Sequence, residues 1–141
     1  MQADDRAGYT ALLQTKAHSV SGTATIVDED TFRVDDFTYD GGGISVFFYL
    51  GTEQTDAAFA SGLQVGPQLF GTPYNDDSLV LDLPAGHTLD GYNAVSVWCV
   101  TAGADFGSGT FVPEPATAGL LATGIVVMAI GRSRRSLRRR R

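Results

Sequence analysis

Apolar and polar positions alternate along much of the chain up to residue 111, in short runs broken by Gly, Pro and Asp. Residues 19–27 are rich in Thr and β-branched side chains and predict a strand, with Asp28-Glu29-Asp30 as the polar turn after it. A second strand is expected at 31–39. Phe32 and Val34 share one parity there and Phe37 and Tyr39 the other, which calls for a bulge near Asp35-Asp36, since one extra residue moves a side chain to the opposite face. After the turn Asp40-Gly41-Gly42-Gly43, residues 44–50 put Ile44, Val46, Phe48 and Leu50 on one face and Phe47 and Tyr49 on the other. Apolar residues on both faces predict a central strand.

Residues 51–78 are less regular. One helical turn fits 56–61, and Gly62, Gly66 and Pro67 stop anything longer. Leu79, Leu81 and Leu83 alternate over 78–83 until Pro84, residues 88–92 read as a turn region, and 93–101 and 104–111 supply the last two strands. Short strands, Gly-rich turns and no long amphipathic helix predict an all-β fold: an antiparallel β-sandwich or small barrel at about residues 17–111. Residues 1–16 read as an N-terminal segment outside that domain. They open with Asp4-Asp5 instead of the positive charge and apolar run of a secretory signal, so the natural start is expected further upstream.

Beyond residue 111 the pattern changes. Residues 115–131 carry no charge, and 116–131 have no polar stripe at helical spacing. Such a helix is about 24 Å long, short of the ~30 Å hydrocarbon core, and bilayer thinning with snorkelling Arg side chains closes the difference. One C-terminal transmembrane α-helix is therefore expected at 116–131, with the lipid bilayer as its partner. Charge adds a direction. The net −6 divides into −13 over residues 1–131 and +7 over the last ten, where Arg132, Arg134, Arg135, Arg138, Arg139, Arg140 and Arg141 stand without an acid. The positive-inside rule then places the C-terminus in the cytoplasm and the acidic body outside, as a single-pass inner-membrane protein. An acidic body argues against nucleic acid as a partner.

At the outer edge of the span stands Pro113-Glu114-Pro115, a rigid, extended spacer. With the apolar stretch and the Arg-rich end following in order, residues 112–141 resemble the PEP-CTERM sorting signal of Gram-negative bacteria. The resemblance implies an exosortase-type membrane protease as a partner, cutting near Pro113-Glu114-Pro115. It also implies release of the body or its transfer to the cell surface, often in species that make extracellular polysaccharide.

Within the body, His18-Ser19-Val20-Ser21-Gly22-Thr23 is followed by Asp36-Phe37-Thr38-Tyr39-Asp40-Gly41 and by Val46-Phe47-Phe48-Tyr49-Leu50-Gly51. Leu-Asp-Leu-Pro at 81–84 comes next, then Ser96-Val97-Trp98-Cys99 with Phe106-Gly107 downstream. This order resembles the DM-thirteen domain over about residues 17–111. The resemblance implies a β-rich domain with one family cysteine, here Cys99, for which a redox or electron-transfer role has been conjectured.

Cys99 is the one cysteine of the chain, so no intrachain disulfide forms and the fold rests on its apolar core. Its parity groups it with Val95 and Val97; if these face the core, the thiol is a small buried hydrophobe. A redox thiol needs access and a lowered pKa. Asp105, close in sequence, is expected to raise it, and His18 is the plausible cationic neighbour. His18 and His87 are too scattered to predict a metal site, and Asp28-Glu29-Asp30, Asp35-Asp36 and Asp76-Asp77 lack EF-hand spacing and read as a solvated acidic rim. No cofactor is expected. Hydrolase, zincin, P-loop and dinucleotide motifs are missing from the sequence, so no enzyme is expected. Two function classes follow. One is a non-enzymatic exported domain delivered to the surface or matrix. The other is an extracytoplasmic redox module in which Cys99 exchanges electrons or forms a mixed disulfide with a redox partner.

Overall fold

The computed structural model describes residues 6–114. Their elements run β1 (Thr10–Thr15), β2 (Ser21–Asp28), β3 (Thr31–Tyr39), β4 (Val46–Gly51), α1 (Asp56–Ala60), β5 (Leu63–Val65), β6 (Tyr74–Asp82), β7 (Ala94–Cys99) and β8 (Ala104–Thr110). The strands join in one antiparallel sheet in the spatial order β5-β4-β7-β8-β1-β2-β3-β6. β1 is the seam: it pairs with β2 through Leu13↔Gly22 and with β8 through Gln14↔Ser108. The sheet curls about that seam until Phe32 and Phe37 of β3 meet Phe48 of β4, with ring centroids 6.1 and 5.2 Å apart. The two edges do not hydrogen-bond to each other. They approach through side chains: a Cβ at Gly66, just past β5, would lie 2.7 Å from Leu81 Cδ1 of β6.

The all-β, antiparallel expectation holds, and the finer choice between sandwich and closed barrel resolves to a half-barrel of one continuous sheet. Alternation produces its core. Ala24 and Ile26 of β2, Phe32 and Val34 of β3, Phe48 and Leu50 of β4, and Val95 and Val97 of β7 all point inward and are buried. The predicted bulge is present. Pairing of β3 with β6 shifts between Val34↔Leu79 and Phe37↔Asp77, and Asp36 takes a left-handed φ of 53°. That extra residue lets Phe37 and Tyr39 rejoin Phe32 and Val34 in the core.

Four expectations need correction. β1 lies in the segment placed outside the domain; its run Thr-Ala-Leu-Leu-Gln-Thr buries Ala11 and Leu13 while Leu12 is exposed, which hides the alternation. Ile44 belongs to the loop before β4 rather than to its inward face, and is exposed. β6 starts at Tyr74 instead of 78, so Asp76 and Asp77 are edge-strand residues and not loop residues. β5, three residues long, carries too little pattern to be seen in the sequence. The single helical turn is found as α1, capped by Thr55, whose hydroxyl accepts from the Ala58 N–H at 3.2 Å. Phe59 from α1 packs on Trp98 on the outer face of the sheet.

The strands define two poles. One carries the turn 99–104 and the loops around 16–20, 40–46 and 69–73. The other carries Arg6, the β2–β3 turn, residues 83–93 and the end of β8, where Thr10 and Val112 exchange backbone hydrogen bonds at 2.8 and 2.9 Å. Among the described residues no helix is long and apolar enough to cross a membrane; the span expected at 116–131 lies outside them.

Candidate functional site: a cysteine held by main-chain donors

Cys99 closes β7, between Val46 of β4 and Ala104 of β8. Val95 and Val97 share its face and are fully buried, and Cys99 itself is 2% exposed. Trp98, on the opposite parity, turns outward to Phe59. The strand then reverses sharply. The Gly103 N–H donates to the Cys99 carbonyl at 2.8 Å, a closure helped by the φ of +63° that glycine adopts there without strain. The Val100 N–H donates to the Ser45 carbonyl at 2.7 Å and ties this turn to the loop before β4.

The two loops converge on the sulfur. Burial, the largest single influence on the thiol, pushes its pKa up. Hydrogen bonds from the main-chain N–H groups of Ile44, Ala102, Ser45 and Thr101 push it down and together prevail, so the thiol lies below its ordinary value. The donors come as two pairs of successive residues, 44–45 and 101–102, one from each loop. The cradle therefore stabilises thiolate with main-chain dipoles and without a basic side chain.

Asp105 does not act as its place in the sequence predicts. Its carboxylate lies on the outer face, 3.1 Å from Lys16 Nζ, and accepts from Ser96 Oγ at 2.8 Å, Ser108 Oγ at 2.6 Å and the Gly107 N–H at 2.9 Å. So occupied, it satisfies the buried hydroxyls of Ser96 and Ser108 and is absent from the forces on Cys99. Tyr39 is the neighbour that sequence reasoning missed. Its pKa is pushed up to about 12, first by burial and then by the negative charge of Asp40, of Cys99 and of Tyr74. Its hydroxyl donates to the Gly42 carbonyl in the loop that leads to Ile44.

His18 sits at the same pole. Its Nδ1 is 3.0 Å from Asp40 Oδ1 and its ring lies 4.4 Å from that of Phe106. It does not figure among the groups that shift Cys99. His87 is exposed in the loop after Pro84. No group of three or more His, Cys, Asp or Glu able to hold a metal ion occurs among the described residues. Asp28 accepts from the Asp30 N–H at 3.1 Å, and Asp35 pairs with Arg33 at 2.7 Å. Pro113 and Glu114 are exposed at the pole opposite Cys99. Pro115 and the arginines from Arg132 to Arg141 lie outside the described residues. The cradle escapes sequence reasoning because its donors are main-chain groups. The readable trace is the pair of tight segments, Gly41-Gly42-Gly43 before Ile44 and Thr101-Ala102-Gly103 after Cys99.

Fold and site together define a small all-β domain built around one main-chain-cradled cysteine. The chain belongs to the family described as Electron transfer DM13, which it matches over residues 12–111. Among curated proteins it is similar to Protein Skeletor, isoforms B/C, of Drosophila melanogaster, with 31% identity over 101 residues covering 69% of this chain and 13% of that protein. Isoforms D/E of the same protein match at 31% over 69% of this chain and 7% of their own length. The chain thus spans a small part of these relatives. No solved structure matches it.

Proposed function

We propose that this chain is an electron-transfer module, not an enzyme, whose working group is the Cys99 thiolate. The observation that carries the reading is the cradle: four main-chain N–H groups outweigh burial and favour the ionised sulfur. The family's description as electron transfer supports it. Burial favours one redox mode over the other. Mixed-disulfide formation needs a partner's sulfur in contact with Sγ, which 2% exposure disfavours. Electron transfer needs only proximity. From the thiolate, the form that the lowered pKa favours, one electron leaves to give a thiyl sulfur and no proton has to move.

Voltammetry of the full chain against Cys99→Ser tests this reading. A reversible one-electron wave is expected in the parent and not in the variant; identical traces would end the proposal.

The module works outside the cytoplasm, delivered by its tail. Supporting this are the ordered Pro113-Glu114-Pro115, the uncharged stretch 116–131 and the seven arginines after it. The exosortase-type protease and the bilayer are the partners that this arrangement suits. The mass of the mature protein from native cells tests it: loss of everything beyond the Pro-rich junction is expected, and an intact cytosolic chain would refute it.

A further inference from the structure

Three large apolar side chains stand out at the Cys99 pole: Ile44 is 65% exposed, Phe70 45% and Val100 44%. They ride on three loops laced by main-chain hydrogen bonds. Val100 N–H donates to Ser45 O at 2.7 Å, Leu69 N–H to Val46 O at 2.7 Å and Gly71 N–H to Gly41 O at 2.9 Å. These loops are also the cradle, since the N–H groups of Ile44, Ser45, Thr101 and Ala102 hold the sulfur. Exposed carboxylates of Asp36, Asp40, Asp76 and Asp77 flank the platform on the β3–β6 side. The basic side chains nearby are engaged, His18 with Asp40 and Lys16 with Asp105.

An exposed apolar cluster marks an interaction site. An apolar centre with a charged rim is the anatomy of a non-obligate interface, and the sign of the rim selects the partner. We infer that this pole is the docking face for a soluble, basic one-electron carrier protein, one whose apolar patch is ringed by Lys and Arg. The inference rests on the redox reading of Cys99. In the docked pair one electron leaves the Cys99 thiolate and reduces the carrier's centre by one; no bond forms and no proton moves. The carboxylate flank disfavours an anionic lipid surface as the occupant.

The test titrates the nitrogen-labelled full chain with cytochrome c, a lysine-ringed carrier. Amide shifts are expected to concentrate at 40–46, 68–73 and 99–104, and affinity to fall about tenfold between roughly 20 and 200 mM salt. The double variant Phe70→Ser, Val100→Ser, which leaves every residue of the cradle unchanged, is expected to lose binding about tenfold while keeping the Cys99 wave. Shifts elsewhere, no shifts, or salt-insensitive binding overturn the inference. So does binding to mixed phosphatidylcholine–phosphatidylglycerol vesicles that the double variant loses. Docking at this pole without a Cys99 wave in the parent would instead leave the face standing and remove the redox reading.

Discussion

At the scale of single residues, the cradle ties the ionisation of Cys99 to folding. Its folded pKa is depressed, so the stabilisation it provides is small at low pH, grows as pH rises through the folded pKa, and is complete above the unfolded value of ~8.5. The stability gap between the parent and Cys99→Ala should therefore widen between pH 6 and pH 9 in denaturant titrations; a constant gap would mean that the N–H groups do not hold a thiolate. Tyr39 has the opposite sign. Its pKa, about 12, is raised, so its stabilisation is complete below the ordinary tyrosine value of ~10 and is lost from there upward, roughly 2–3 kcal/mol over the two units. Tyr39→Phe, which removes the bond to the Gly42 carbonyl, is expected to cost about 1 kcal/mol at pH 9. Near pH 12 the variant should be the more stable of the two. Parity in the sequence was enough to turn Cys99 inward with Val95 and Val97. The donors that set its chemistry were hidden, because a main-chain N–H has no residue signature.

At the scale of elements, the seam depends on what is missing from β8. A Cβ at Gly109 would lie 2.4 Å from the Leu12 carbonyl oxygen of β1, and one at Gly107 would lie 2.4 Å from Val20 Cγ1. The first obstacle is backbone and has no rotamer by which to yield. Gly109→Ala is expected to destabilise the fold by about 2 kcal/mol or more, with amide-exchange protection lost first along β1 and β8. Thermal melts comparing it with Thr110→Ala, on the exposed neighbour, provide the check. Strands with regular alternation, β2, β4 and β7, were legible from sequence. β1 was not, because exposed Leu12 sits between buried Ala11 and Leu13 and makes the run look uniformly apolar. The bulge at Asp35-Asp36 was legible because Phe37 and Tyr39 break parity with Phe32 and Val34.

At the scale of the whole molecule, composition and spacing sufficed for the class, all-β, but not for the strand order. Which strands become neighbours is decided by non-local pairings such as β3 with β6 and β4 with β7, across intervals that carry no marker. Arg6 reaches the carbonyls of Leu89 and Tyr92, and Val112 pairs with Thr10, so both ends emerge side by side. A domain with that plumbing is a cassette. Other modules can be spliced on before it or after it, as in relatives many times its length, and none of them need shadow the loops that hold Cys99.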